Sequence, residues 1–347
     1  ADCECGYFIK AREVGDHQAV FTEVLESDFT TLKDIRINTD WVPQNWSVDK
    51  EDSKGPYGRR TDLNNLKSNP VQSGAPFIQE AGLELWVRKL APGDEYVGVA
   101  EVDTFRTDML YGSFRASIKT PRVNGTCAAF FWYLNDTQEI DMEFLGRQTN
   151  DTYSPVNLVM HSTLSSEYGG DASKTPTYKI VPLPFQANEG FHEYRFDWQP
   201  GIVSFYADGQ QLTDMADQKY VPNVPGKIIL SHWSNGQPLW SGGPPEEDAK
   251  MVVSYVKAYF NSSNPVRIKD HHQRCGIAPK EKAVCQIPDQ MGPPKYGDVY
   301  FFHKDPSGNK VNNQSIFGVS SATGFERLPI WAYFLLFAMI VLPGLPE

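Results

Sequence analysis

The segment QEIDMEFLG, residues 138–146, alternates acidic and apolar side chains along its length. Successive side chains of a β-strand point to opposite faces of the sheet. The pattern therefore predicts a strand on which Glu139, Asp141 and Glu143 share one face, while the apolar residues between them enter the core. Alternation of this kind is typical of a half-buried strand in a β-protein.

Three carboxylates on one strand face repel one another, and a structural role for them is hard to find without a metal. Glycoside cleavage offers a reason, because a retaining glycosidase needs a carboxylate nucleophile and a carboxylic acid about 5–5.5 Å apart. Glu139 and Glu143 start about 13 Å apart at the backbone of a straight strand, but their tips converge on a concave sheet. Asp141 would hold its neighbours and help to keep a proton on the acid.

Further short apolar stretches separated by turn residues surround this segment, and no segment of 12 or more residues shows helical periodicity. The pair Asp208-Gly209 between two apolar stretches predicts a β-hairpin. This pattern favours an all-β fold, an antiparallel sandwich or barrel. The other predicted strands cover residues 82–89, 112–119, 128–134, 156–160, 193–198, 203–207, 227–232 and 252–260.

Composition divides the chain into four segments. An N-terminal segment with two cysteines covers residues 1–19, and a β-rich catalytic domain covers 20–262. A Cys-containing extension and linker follows over 263–327. The tail, 328–347, holds thirteen uninterrupted apolar residues between two prolines, fewer than the roughly 20 of a membrane span. Small residues precede it, so we expect a removed glycolipid-anchor signal or a short membrane tail anchor, with a non-functional end as the alternative.

Several features predict a secreted, extracellular protein at a cell surface or in a cell wall. The chain starts as a mature N-terminus would, and its five cysteines allow two disulfides, with Cys127, in an apolar run, as the buried thiol left over. The pairing stays open. Six glycosylation sequons begin at Asn45, Asn124, Asn135, Asn150, Asn261 and Asn313.

The net charge of −11 without a basic run disfavours a nucleic-acid partner. We expect the protein to be a monomer.

The acidic segment resembles the E-[ILV]-D-x-E signature of glycoside hydrolase family 16. The resemblance extends over about residues 80–260 and includes YGSFR at 111–115, FHEYRFDW at 191–198, SHWSNG at 231–236 and WSGGP at 240–244. It implies a concanavalin A-like β-jelly-roll sandwich of two antiparallel sheets with a concave substrate cleft. It also implies Glu139 as nucleophile, Asp141 as assisting residue and Glu143 as acid/base. One residue separates Asp141 from Glu143, as in lichenases and cell-wall transglycosylases but not in laminarinases.

The activity that this resemblance implies is that of a retaining endo-β-glucanase acting on β-1,3(4)-glucan by double displacement. One alternative is a cell-wall transglycosylase, acting on glucan or joining chitin to glucan, with the same residues. Another is an inactive carbohydrate-binding protein. The resemblance implies no cofactor and no catalytic metal. It allows a structural Ca²⁺ on the convex side, whose ligands the sequence does not identify.

Substrate-binding residues follow from the resemblance and from strand parity. Phe131 and Tyr133 would face the substrate and Trp132 the core, while all three as core aromatics is the alternative interpretation. Parity places Asn157 and His161 on one face, where His161 would tune the acid or be a bystander. Two indoles would stack on sugar rings, those of Trp233 and Trp240. Candidates for the far end of the cleft are Glu101, Asp103 and Arg106.

Overall fold

Two stacked β-sheets form the body of the protein in a computed structural model that describes residues 3–9, 19–71, 80–276 and 283–304. The helices are α1 Thr163–Glu167 and α2 Pro265–Cys275, with 3₁₀ turns at Ile35–Ile37, Leu63–Asn65, Gly146–Gln148, Ala172–Lys174 and Phe302–Lys304. The strands in chain order are β1 Gly6–Phe8, β2 Val20–Phe21, β3 Glu23–Asp28, β4 Trp41–Pro43, β5 Ser47–Val48, β6 Gly58–Thr61, β7 Leu66–Asn69, β8 Gly82–Val87, β9 Tyr96–Thr104, β10 Met109–Lys119, β11 Cys127–Asn135, β12 Gln138–Leu145, β13 Pro155–His161, β14 Tyr178–Pro182, β15 His192–Gln199, β16 Ile202–Ala207, β17 Gln210–Ala216, β18 Lys227–Trp233, β19 Ala249–Ser262 and β20 Val284–Gln286.

Within the described residues, one sheet has nine strands and the other has eight. The nine-stranded sheet runs β14-β13-β12-β11-β18-β9-β6-β5, with β4 also paired to β9. The eight-stranded sheet runs β17-β16-β15-β10-β19-β8-β7, with β3 also paired to β19. Nearly all the pairs in these sheets are antiparallel, apart from the parallel pair of β6 and β9. The all-β jelly-roll fold class is confirmed.

The central hairpin of β11 and β12 shows why the sequence folds this way. On β11 every second side chain is apolar and enters the core between the sheets, including Phe130 and Trp132. The indole of Trp132 satisfies its polar atom by donating to the carbonyl of Met109 at 3.2 Å. On β12, Ile140 and Met142 are fully buried in the same core. The predicted alternation of β12 is confirmed, and its acidic residues take the opposite face.

The hairpin predicted at Asp208-Gly209 is confirmed between β16 and β17. Both turn residues have positive φ, 47° at Asp208 and 75° at Gly209, as a two-residue type I′ turn requires. Asp208 also accepts a hydrogen bond from the backbone N–H of Glu193 at 2.9 Å. The turn is thereby tied to the neighbouring strand β15.

Helix α2 was not expected, because its eleven residues bury no side chain completely and so show no apolar stripe. Its start carries a local signal: Asn264 accepts a hydrogen bond from the backbone N–H of Val266, and Pro265 occupies the first turn. Strand β9 was also missed. Its sequence, YVGVAEVDT, interrupts the apolar pattern with a glycine and two acids.

Two disulfides, Cys3–Cys285 and Cys5–Cys275, join the N-terminal segment to the extension. Strand β1 lies between β2 and β20 in a third, three-stranded sheet. Cys127 is the free and buried cysteine, as predicted.

Residues 283–304, within the predicted Cys-containing extension and linker, cover the outer face of the eight-stranded sheet. Phe302 packs with Tyr7 and Tyr259 of β19 in a small second apolar cluster. Buried cations of the sheet find partners in this segment. Arg115 donates to the carbonyl of Pro288 and Lys257 donates to that of Tyr300, each at 2.7 Å. Segment 283–304 therefore supplies backbone acceptors to buried cations of this face.

The predicted anchor tail, residues 328–347, lies outside the described residues, as does the sequon at Asn313. Among the residues that are described, no helix has both the length and the apolar character needed to cross a membrane. Attachment to a membrane through the tail stays a prediction.

Candidate active site

A cleft of about 320 Å³ lies on the outer face of the nine-stranded sheet, over its central strands. Strands β9, β11, β12, β13 and β18 supply its floor. The loops before β6, after α1 and after β18 supply its walls. Its lining includes Lys54, Arg59, Glu101, Phe131, Glu139, Asp141, Glu143, His161, Tyr178, Ser231, Trp233 and Trp240.

All three acidic residues of β12 line this cleft, as the strand alternation predicts. In the antiparallel register, Glu139 lies opposite His161 on β13, and Asp141 lies opposite Phe131 on β11. Glu143 lies opposite Ala129, whose small side chain leaves room for the carboxylate.

Burial dominates the electrostatics of the three carboxyl groups. It raises the pKa of Glu139 to about 8 and that of Glu143 to about 7. The pKa of Asp141 lies well above its usual range because of burial and the charges of Glu139 and Glu143. Groups that interact this closely release their protons as a set. Near neutral pH the three carboxyl groups therefore share both protons and negative charge.

Replacing Glu139 with Gln is expected to stabilise the fold increasingly as the pH rises. A carboxyl with a raised folded pKa favours folding below its unfolded pKa near 4.5 and loses that contribution as the pH climbs towards 8. The neutral amide does not titrate. We expect the difference in free energy of unfolding between the variant and the wild type to be near zero at pH 4.5 and about 4 kcal/mol at pH 8.

Urea unfolding of both proteins at several pH values measures this difference. Contributions of groups that do not interact with Glu139 cancel in the comparison, such as that of His232, whose pKa burial lowers to about 4. A difference that does not change with pH contradicts the expectation.

Phe131 and Tyr133 project to the cleft side of β11, whereas Trp132 is fully buried, as predicted. Phe131 is partly exposed and lines the cleft beside the acids. Tyr133 meets it edge to face, with ring centroids 6.3 Å apart. The Tyr133 hydroxyl donates to Asp136 at 3.1 Å, and Tyr133, unlike Phe131, is not among the residues that line the cleft.

His161 lines the cleft, with its Nε2 3.9 Å from Oδ2 of Asp141. Burial, followed by the charge of Lys54, lowers its pKa to about 4. His161 is therefore neutral at neutral pH and adds no positive charge beside the acids.

Asn157 differs from the prediction, because it is fully buried and does not line the cleft. Its amide donates to the backbone carbonyl of Glu143 at 3.2 Å and to Gln148 at 2.8 Å. The hydroxyl of Tyr178 donates to its oxygen at 2.9 Å. Asn157 lies on the predicted face but beneath other side chains, where it holds strand β12 instead of meeting a ligand.

Trp233 and Trp240 both line the cleft near Glu143, and side-chain hydrogen bonds from both indoles lower the pKa of that carboxyl. One face of Trp233 is covered by the guanidinium of Arg59, 5.2 Å from the ring centroid. The loop that carries Trp240 is fixed by Arg147, which donates to the carbonyls of Trp240 and Leu239.

Arg59 is the main cleft residue that the sequence did not reveal. It comes from β6, whose pairing with β9 is parallel and distant in sequence from the acidic strand. Its guanidinium lies between Trp46 and Trp233, and its Nε is buried without a hydrogen-bond partner. No local pattern around GRRT marks it, so only the tertiary fold identifies it.

The three residues predicted for the far end of the cleft lie in different surroundings. Glu101 lines the cleft, and burial followed by the charge of Asp103 raises its pKa to about 7. Asp103 forms an ion pair with Lys227 at 2.5 Å. Arg106 is not in the cleft, because it binds Asp108 and Glu23, a residue of the eight-stranded sheet.

Among the described residues, one group of three side chains has ligand atoms close enough to share a cation, within 4.8 Å of one another. It consists of Glu139, Asp141 and His161. Calcium takes about six to eight oxygen ligands, so two carboxylates and an imidazole do not fit it. The group also lies in the cleft and not on the convex side. It therefore does not supply the ligands of a structural Ca²⁺.

Bacterial enzymes are similar to part of this chain. The β-glucanase of Paenibacillus macerans is 34% identical over 138 residues, 38% of this chain and 52% of that protein. The β-glucanase of Acetivibrio thermocellus is 30% identical over 158 residues, 44% of this chain and 43% of that protein. The chain spans about half the length of the curated relatives it matches.

Solved structures share the fold. A β-1,3-1,4-glucanase (lichenase) derived from a mouse hindgut metagenome superposes with a TM-score of 0.51 at 23% identity, covering 68% of this chain and 98% of that one. An endo-β-1,3-glucanase from Pyrococcus furiosus superposes with a TM-score of 0.53 at 20% identity, covering 70% and 96%.

The sequence profile of glycosyl hydrolases family 16 matches residues 65–257, more than half of the chain. This range contains β12 with its three acids and most of the strands of both sheets. The resemblance noted in the sequence is thereby confirmed, and the chain belongs to glycosyl hydrolases family 16.

Proposed function

We propose that this protein is a retaining endo-β-glucanase that cleaves β-1,3(4)-glucan by double displacement. The observation that carries the proposal is the row of Glu139, Asp141 and Glu143 on the floor of an open cleft, with raised pKa values. The relatives named β-glucanases support the substrate class.

In the first step, a carboxylate oxygen of Glu139 attacks the anomeric carbon. The bond from that carbon to the leaving oxygen breaks, and Glu143 gives its proton to this oxygen. Asp141, between the two, has a raised pKa, and its side-chain hydrogen bond with Glu139 lowers the pKa of Glu139 and so favours the ionised nucleophile. The product of this step is a glycosyl ester on Glu139 and a released sugar chain.

In the second step, Glu143 acts as a base and takes a proton from an incoming hydroxyl, which attacks the anomeric carbon and frees Glu139. Water as the acceptor gives hydrolysis. The hydroxyl of a second sugar chain gives transglycosylation with the same residues, which is the alternative function.

Product analysis of the full chain tests the proposal. Mixed-linkage β-glucan, laminarin and chitin oligosaccharides would each be incubated with and without a fluorescent oligosaccharide acceptor. Short unlabelled products with retained anomeric configuration support an endo-glucanase and identify the linkage. Label in long polymer favours the transglycosylase. Binding without any product would favour the inactive carbohydrate-binding protein.

Replacing Phe131 with Leu is expected to weaken substrate binding more than catalysis. Leu keeps the apolar bulk but removes the flat ring, which lies in the cleft floor opposite Asp141. Because this contact is the same before and during the reaction, we expect KM to rise about fivefold and kcat to stay within about twofold. The matched control is Phe105→Leu, at an exposed ring outside the cleft lining. A KM for Phe131→Leu equal to that of Phe105→Leu would contradict the assignment.

We also propose that the protein is secreted and works at a cell surface or in a cell wall. The support consists of six sequons and two disulfides, which form in oxidising compartments. Treatment of the protein from its native source with an N-glycosidase should lower its apparent mass. An unchanged mass would count against secretion.

A further inference from the structure

We propose that the thiol of Cys127 positions Glu143 by donating a hydrogen bond to one carboxylate oxygen, so that the other oxygen faces the bond to be cleaved. This inference rests on the proposed function, because it concerns the acid/base of that reaction. Cys127 is a positioning residue and does not touch the substrate.

The geometry places the thiol directly behind the carboxylate. Sγ of Cys127 lies 3.2 Å from Oε1 of Glu143. The two residues are on neighbouring strands, with Ala129 opposite Glu143 and Cys127 one row further along the same face of β11. Because Ala129 has no bulk beyond Cβ, the acid can lean over it to reach the thiol. Cys127 has no solvent exposure, so water does not compete for this contact.

The thiol is available as a donor. Cys127 forms no disulfide, since Cys3, Cys5, Cys275 and Cys285 bond with one another. Burial, followed by the charge of Glu143, raises its pKa well above the ordinary value. The sulfur therefore keeps its proton at neutral pH and donates, where a thiolate would repel the acid.

Other groups also face Glu143. Burial raises the pKa of Glu143, and hydrogen bonds from Cys127, Trp233 and Trp240 together with the charge of Arg59 lower it. The negative charges of Glu143 and its neighbours on β12 oppose one another, and Tyr178 stands nearby. Among these groups, Cys127 is buried and does not line the cleft. Its thiol also has a side-chain hydrogen bond with Trp240, so the test compares two substrates that share the same cleft walls.

Cys127→Val and Cys127→Ser provide the test. Val fills the site without a donor, and Ser keeps a donor of similar size. Two substrates are compared by kcat/KM: mixed-linkage β-glucan, whose leaving sugar needs a proton, and a dinitrophenyl β-oligoglucoside, whose leaving group does not. For Cys127→Val we expect about a tenfold loss on β-glucan and a change within about twofold on the aryl substrate. Cys127→Ser should retain at least about half of the β-glucan activity.

The pH profile gives a second readout. Without the thiol the ionised carboxylate loses a donor, so its pKa rises and the protonated acid persists to higher pH. The basic limb of kcat/KM should move up by about half a pH unit in Cys127→Val. Cys127→Ala serves as a further donor-free variant if the Val variant does not fold.

The outcomes separate the two proposals. Equal losses on both substrates would show a merely structural role for Cys127, and no loss on either would overturn the hydrogen bond's role. A wild-type protein that cleaves neither substrate would overturn the proposed function, and this inference with it.

Discussion

Glu139→Gln is expected to lower kcat/KM on β-glucan by at least about 10⁴-fold, because the amide is a poor nucleophile and cannot form the glycosyl ester. Gln has nearly the same shape, and the cleft walls from Trp240 to Lys54 are unchanged. Affinity for a β-glucan oligosaccharide should therefore stay within about threefold of the wild type. Initial rates on mixed-linkage β-glucan and calorimetric binding of a tetrasaccharide measure the two quantities.

The matched control is Glu247→Gln, the same chemical change at an exposed residue that does not line the cleft. Its activity should equal that of the wild type. Substantial turnover by Glu139→Gln would show that another group is the nucleophile. Loss of both binding and turnover would indicate damage to the cleft and would leave the assignment of Glu139 without support.

Breaking both disulfides is expected to cost far more stability than breaking either one. Cys3–Cys285 and Cys5–Cys275 span 282 and 270 residues and are nested, so one intact bond still closes the long loop. Loss of one bond opens only the small ring between the two, worth about 3 kcal/mol by loop entropy. Loss of both also opens the long loop, for a total of about 8 kcal/mol.

Paired Cys→Ser variants at each bond, and the quadruple variant, would be compared in urea unfolding experiments. The loss in the quadruple variant should exceed the sum of the two single-bond losses by about 2–3 kcal/mol. Strictly additive losses would show that the two bonds act independently. Each variant keeps Cys127, so its free thiol is the same throughout.

The central strands could be predicted well from the sequence because their two faces lie in different environments. On β11 and β12 one face meets a dry core and the other an open cleft, so the period of two is almost unbroken from Ala128 to Phe144. Helix α2 and segment 283–304 lack that contrast. Helix α2 buries no side chain completely. Segment 283–304 contacts the sheet through single apolar residues such as Phe302 and through hydrogen bonds from Arg115 and Lys257, and neither kind of contact leaves a periodic trace in the sequence.

The alternation of side chains along a strand predicted which sheet face a residue lies on, but not whether other side chains cover it. Asn157 is on the cleft side of β13, yet Tyr178 of β14 and Gln148 of a 3₁₀ turn cover it. Arg59 reaches the cleft from a strand some 80 positions before the acids. Cys127 stood out in the sequence by its apolar surroundings, but its contact with Glu143 depends on Ala129 being small. Each of these features comes from neighbours that are distant along the chain or off the strand.

Segment 283–304 lies on the sheet opposite the cleft, and Lys304 pairs there with Asp28 of β3. Any support fixed to the chain just beyond residue 304 would hold the protein on the side opposite the cleft. The mouth of the cleft would then point away from that support, towards the medium. An immobilised or tethered form could thus receive a long, insoluble polymer on the side that faces away from the support.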